Sequence, residues 1–143
     1  MGFSSKASVF FVIALLIVSN VPSSMSVTHD VGSWSGWTMK GNPNLEDIMG
    51  DYGNYNVWVS ENTFHVGDYL HFVYSPEFHN VLQVTSSDYE SCNTTAPLAT
   101  YATGNDYIPI MGDADHYYFI CGFPGNCDSG QKVLIEVAGF YMT

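Results

Sequence analysis

Three residues suited to holding a soft metal ion, His79, Cys121 and Gln131, sit where short apolar runs begin or end. His79 opens one such run. Cys121 closes another and leads directly into Gly122-Phe123-Pro124-Gly125-Asn126-Cys127, with Gln131 following the turn Asp128-Ser129-Gly130. A thiolate at a strand end, a tight Gly/Pro loop and a polar residue just beyond it can converge on one small volume. A histidine from another strand then completes a mixed N/S/O set. Copper favours that combination when sulfur, imidazoles and a weak axial group are held rigidly. The other histidines, His29, His65, His71 and His116, read as surface or partly buried side chains. There is no Gly-rich phosphate loop and no helical two-histidine metal motif. A Cys121–His79 nucleophile pair would lack a third residue to orient it, so the chain is not expected to be an enzyme.

The elements that must position these residues read as short strands separated by turns. Val57-Trp58-Val59 is a short apolar run, and Phe64 and Val66 alternate with polar neighbours up to Gly67-Asp68. In Tyr69-Leu70-His71-Phe72-Val73-Tyr74, Leu70, Phe72 and Tyr74 fall on one face. Further strands are expected at 79–84, 107–110, 116–121 and 132–137, with Pro109 marking the second of these runs as an edge. The β-branched and aromatic enrichment and the regular turn signals indicate an all-β sandwich. Only Asp88 to Cys92 reads as a short helical turn. No repeat, charge run or low-complexity linker divides the chain.

Composition narrows the class of function. The 143 residues carry three Lys+Arg against 14 Asp+Glu, and all three cations are lysines. A nucleic-acid binder needs cations to replace phosphate counterions, so that class is excluded, and so is adsorption to anionic lipid. With 46% hydrophobic and 15% aromatic residues, the chain can build a core. Near the start, Lys6 precedes the apolar run at 9–18, and small polar residues around Pro22 follow. That run is too short for roughly 30 Å of hydrocarbon and reads as a secretory signal. Ser24 and Ser26 place cleavage before Val27, giving a signal at 1–26 and one domain at 27–143. No second run of spanning length follows, and neither a Pro/Ser-rich stalk nor a hydrophobic tail precedes Thr143, so no membrane span and no lipid anchor are expected. In an oxidising compartment two of Cys92, Cys121 and Cys127 should cross-link, and spacing alone leaves all three pairings open.

The ordered motifs resemble the plant phytocyanins, a blue-copper cupredoxin family that includes stellacyanins and early-nodulin-like proteins. The matching blocks are His29-Asp30-Val31-Gly32 with Gly36-Trp37-Thr38, then Phe64-His65-Val66-Gly67-Asp68-Tyr69-Leu70-His71-Phe72 and His79-Asn80-Val81. Tyr89-Glu90-Ser91-Cys92, His116-Tyr117-Tyr118-Phe119-Ile120-Cys121-Gly122 and Pro124-Gly125-Asn126-Cys127-Asp128-Ser129-Gly130-Gln131-Lys132 complete the match. The resemblance implies a Greek-key sandwich with short helical turns and one disulfide, Cys92–Cys127. It also implies one copper ion held by His79, Cys121 and, in the stellacyanin manner, the amide oxygen of Gln131.

One position departs from that pattern. The family's second histidine ligand falls where this chain has Asn126, and an amide oxygen is a poorer partner for copper than an imidazole. Two readings follow: a secreted copper-binding electron-transfer protein with an altered site, or a non-redox extracellular binding or structural module on the same scaffold. Under either, the acidic monomer suits a basic redox partner or a basic cell-wall component. The single glycosylation acceptor motif is Asn93-Thr94-Thr95. The secreted protein is expected to begin at Val27 and to carry an N-glycan on Asn93. Intact mass before and after glycosidase treatment checks both; a retained Met1 or an unchanged mass contradicts them in turn.

Overall fold

The computed structural model describes Gly2 and residues 25–39 and 55–139. The apolar run of the expected signal, residues 9–18, lies outside the described residues. Among the described residues, seven strands form two sheets. β1 (Thr28–Asp30), β2 (Tyr69–Val73) and β5 (Asn105–Pro109) make one, in the order β1-β2-β5. β3 (Val81–Val84), β4 (Ala99–Tyr101), β6 (His116–Ile120) and β7 (Lys132–Glu136) make the other, in the order β4-β3-β6-β7. The non-consecutive neighbours β2–β5 and β3–β6 are the crossings of a Greek-key sandwich. Only the β1–β2 pair is parallel among these strand pairs.

Alternation explains which side chains meet between the sheets. Leu70 and Phe72 point inward from β2, and Ile108 from β5. Val81, Tyr117, Phe119, Val133 and Ile135 answer from the facing sheet. Phe72 and Phe119 touch across the gap with ring centroids 5.3 Å apart. Trp37, fully buried, packs edge-on against Phe72 and tilted against Tyr55.

Residues 57–59 are not a strand. They belong to α1 (Tyr55–Ser60), whose buried residues Tyr55 and Trp58 are three apart and so share one helical face. Three successive apolar residues fit either period, and the pairing of Tyr55 with Trp37 decides for the helix. The expected helical turn at 88–92 is α2 (Ser86–Ser91), capped by Thr85, whose hydroxyl accepts the Asp88 N–H. Behind the four-stranded sheet, Leu82, Val84, Ile120 and Cys127 form a second apolar cluster with Tyr89, Cys92 and Tyr118 packed against it. The Cys92–Cys127 disulfide closes this cluster and fixes a 35-residue separation, worth on the order of 4 kcal/mol in the loop-entropy account.

His29 is buried rather than superficial, and its Nε2 lies 2.9 Å from Asp68 Oδ2. Asp68 is itself only 3% exposed. Burial pushes its carboxyl up, but hydrogen bonds from His29 and from the Val27 and His65 N–H groups outweigh this and hold it below the usual carboxylate range.

On the outer face of the smaller sheet, His71 ties three strands together. Its Nδ1 lies 2.7 Å from Asp30 Oδ1, its Nε2 2.6 Å from Asn105 Oδ1, and its ring stacks on Tyr107 at 4.0 Å. Burial lowers its pKa, but the contacts with Asn105 and Asp30 prevail and the net shift is upward. A histidine whose folded pKa exceeds its unfolded value gives stability that is complete below about pH 6.5 and lost as pH rises through the folded value. Thermal melts of wild type and His71→Gln should therefore differ most near pH 5.5 and converge toward pH 9. A gap that ignores pH contradicts this role.

Candidate metal centre

The parity that builds the core also delivers the site. Tyr117 and Phe119 point between the sheets, and Cys121, two residues beyond, continues that series, fully buried. Val133 and Ile135 do the same in β7, with Val137 just past its end, and Gln131, two residues before Val133, is 1% exposed. The Cys121 N–H donates to Gln131 O at 3.0 Å, extending the β6–β7 ladder past its last strand pair and bringing the two side chains together. His79 stands two residues before the inward Val81, so it approaches the same end of the sandwich from β3.

The β6–β7 connection carries the fourth residue. The Asn126 N–H donates to Phe123 O at 3.2 Å, closing a turn over Pro124 and Gly125. Gly125 has φ +81°, and Pro followed by a positive-φ Gly is the signature of a type II turn. Asn126 O then accepts the Gln131 N–H at 2.9 Å, folding the loop back on itself.

His79, Cys121, Gln131 and Asn126 thus lie near one another. His79 Nδ1 lies 3.1 Å from Gln131 Oε1 and 3.4 Å from Asn126 Nδ2. Asn126 Nδ2 also donates toward Cys121 Sγ at 3.5 Å and toward Phe78 O at 3.4 Å. A single ring nitrogen can donate to Gln131 or accept from Asn126, but not both. Gln131 Nε2 is buried with no hydrogen-bond partner. Sulfur, imidazole nitrogen and amide oxygen, three electron-pair donors, therefore lie close together, linked through the Asn126 amide and the His79 ring. That is the donor chemistry of a metal ligand set, and the thiolate–imidazole pair fits copper. Among the described residues no group of three His, Cys, Asp or Glu side chains gathers, because two of these four positions are amides.

Sequence reasoning overlooked the residue that holds the site together. The Asn80 carbonyl accepts the Trp37 indole N–H at 2.8 Å, and Asn80 Oδ1 accepts the Gly122 N–H at 2.6 Å. Asn80 follows His79 and Gly122 follows Cys121, so this clamp fixes the imidazole and the thiol relative to each other. The His79-Asn80-Val81 block was a visible signal, but only the folded chain supplies Asn80's partners.

Comparison with other proteins identifies the family and the fold. A family model described as a plastocyanin-like domain matches residues 44–131. Stellacyanin from Toxicodendron vernicifluum is 44% identical over 109 residues, spanning 76% of this chain and 94% of that protein. The chain belongs to the phytocyanin family. Two solved phytocyanin structures share its fold. Cucumber basic protein, a blue copper protein, superposes with TM-score 0.63 at 33% identity, covering 78% of this chain and 99% of its own. Cucumber stellacyanin, with Cu2+ at pH 7.0, gives TM-score 0.63 at 29% identity over 79% of this chain and 96% of its own.

The phytocyanin clamp leaves no room for a side chain at residue 122. A Cβ there would lie 2.7 Å from Leu82 Cδ1 and 2.9 Å from Asn80 Oδ1. Gly122→Ala should lower stability by about 1–3 kcal/mol through overpacking and a broken clamp. Urea denaturation measures it, and an unchanged midpoint contradicts the clamp.

Proposed function

We propose that this chain is a secreted phytocyanin of the copper-binding, electron-transfer type with an altered site. The observation that carries this reading is the convergence of Cys121 Sγ, His79 Nδ1 and Gln131 Oε1 at the loop end of the sandwich. Bound copper would supply a one-electron couple. His79 and Cys121 would hold it as the strong donors, and the Gln131 amide oxygen would serve as the weak one. Asn126 stands at the position of the second histidine ligand, so the ion has one imidazole instead of two.

The protein's own residues explain how the site resists rearrangement. The Asn80 clamp fixes the backbone beside His79 and Cys121, and burial of Cys121 and Gln131 excludes water from the inner side. Cys127, the neighbour of Asn126, is tied covalently to Cys92. Secretion with signal removal before Val27, an N-glycan on Asn93 and a basic redox or cell-wall partner complete the reading. At Asn93, Oδ1 accepts from both the Thr95 N–H and the Thr95 hydroxyl, which presents the acceptor loop as one ordered turn.

A second reading rests on Asn126 itself. Its amide hydrogens are directed at the His79 nitrogen and the Cys121 sulfur, the atoms a metal would use. A scaffold with that arrangement can serve as a non-redox extracellular module. A Cu(II) titration of the mature protein beside Asn126→His and Cys121→Ser, followed by visible absorption, separates the two. Wild type should take up one copper with a coloured but perturbed spectrum. Asn126→His should bind more tightly with a stronger blue band, and Cys121→Ser should stay colourless. Uptake by Asn126→His alone would favour the non-redox module, and uptake by neither would overturn the ligand assignment.

A further inference from the structure

Far along the chain from the metal centre, β1 is a three-residue edge strand held by one unusual anchor. The Val27 main-chain nitrogen lies 3.0 Å from Asp68 Oδ1, and Val27 O accepts the Tyr69 N–H at 2.9 Å. Residue 27 is therefore gripped on both sides. Asp68 Oδ2 is already engaged, by His29 Nε2 and the His65 N–H, each at 2.9 Å. His65 Nδ1 stands farther off, at 3.9 Å. Oδ1 of this buried carboxylate thus faces Val27 N, which in an uncleaved chain is a neutral amide.

A buried carboxylate is costly unless a positive charge or several donors compensate it. We propose that removal of the signal before Val27 converts this nitrogen into an ammonium paired with Asp68, so that processing itself completes the anchoring of β1. In that step a signal peptidase adds one water across the 26–27 peptide bond. Ser26 leaves with the carboxylate, and the new Val27 amine is protonated at neutral pH. The nitrogen keeps its place opposite Oδ1, while a neutral N–H···O⁻ contact becomes a charge-assisted one. Because β1 lies at the sheet edge with only three pairs to β2, this contact bears heavily on whether the strand stays docked. His29 lies in that strand and His71 pairs with its Asp30, so both contacts depend on it.

The inference rests on the processing site proposed above, and the two can fail separately. Intact mass of the secreted protein establishes the first residue; a start other than Val27 overturns both. On the chain beginning at Val27, the free amine is compared with its Nα-acetylated form, which keeps an N–H but loses the charge. Acetylation should raise the unfolding equilibrium constant by roughly tenfold or more. In Asp68→Asn the same acetylation should have almost no effect. An equal effect in both backgrounds, or none in wild type, overturns the ion pair. Should Asp68→Asn not fold, amine labelling of wild type decides: the Val27 amine should react about tenfold more slowly in the folded than in the urea-unfolded chain. Equal rates overturn the proposal.

Discussion

The site depends on a single bidirectional residue. Asn80 presents its carbonyl to the buried Trp37 indole and its side-chain oxygen to the Gly122 N–H, thereby joining the start of β3 to the end of β6. Trp37 in turn packs against Phe72 and Tyr55, and the Tyr55 hydroxyl hydrogen-bonds both the N–H and the C=O of Thr38. Burial drives that hydroxyl's pKa far upward, so it stays protonated and keeps donating. A run of aromatic packing thus ends in two hydrogen bonds that fix an imidazole opposite a thiol. On the proposed copper reading, the rigidity a soft metal centre requires is drawn from the hydrophobic core.

Much of this was legible in the residues. The alternation in 69–74, 116–121 and 132–137 is visible because each strand buries one face, and the site residues simply continue that alternation past the strand ends. His79, Cys121 and Gln131 could be proposed from sequence because their donor atoms stand where apolar runs begin or end, and the family resemblance implies the same three. The helix at 55–60 could not be read, since its apolar triplet has no period of its own. Likewise His29 read as a surface or partly buried side chain between Thr28 and Asp30, because its partner Asp68 comes from 39 residues away. The clamp at Asn80 was hidden for the same reason. Both depend on tertiary neighbours, and local pattern carries no trace of them.

On the proposed reading, Asn126 alters the chemistry of the site and leaves its architecture alone. Its main-chain N–H and C=O serve the turn to Phe123 and the return to Gln131, contacts indifferent to the side chain. The backbone of the loop is therefore kept by Pro124, Gly125 and the adjacent disulfide. What changes is which atom faces the sulfur and the imidazole. The loop is a socket whose shape and whose occupant are specified by different residues.

The sheet edges have a consequence for life at high local concentration. Open strands invite pairing with another chain, and Lys132, on the edge strand β7, turns its Nζ to the Tyr89 carbonyl. Here the protection is geometric. β1 and β4 are three residues each, too short to template much of a neighbour, and β5 carries Pro109, which offers no N–H. On β7 the flank is covered by α1 and by the bridge between Phe64 and Val137. Resistance to fibril-like stacking is thus built into strand length and cover, leaving the surface charge free for recognition.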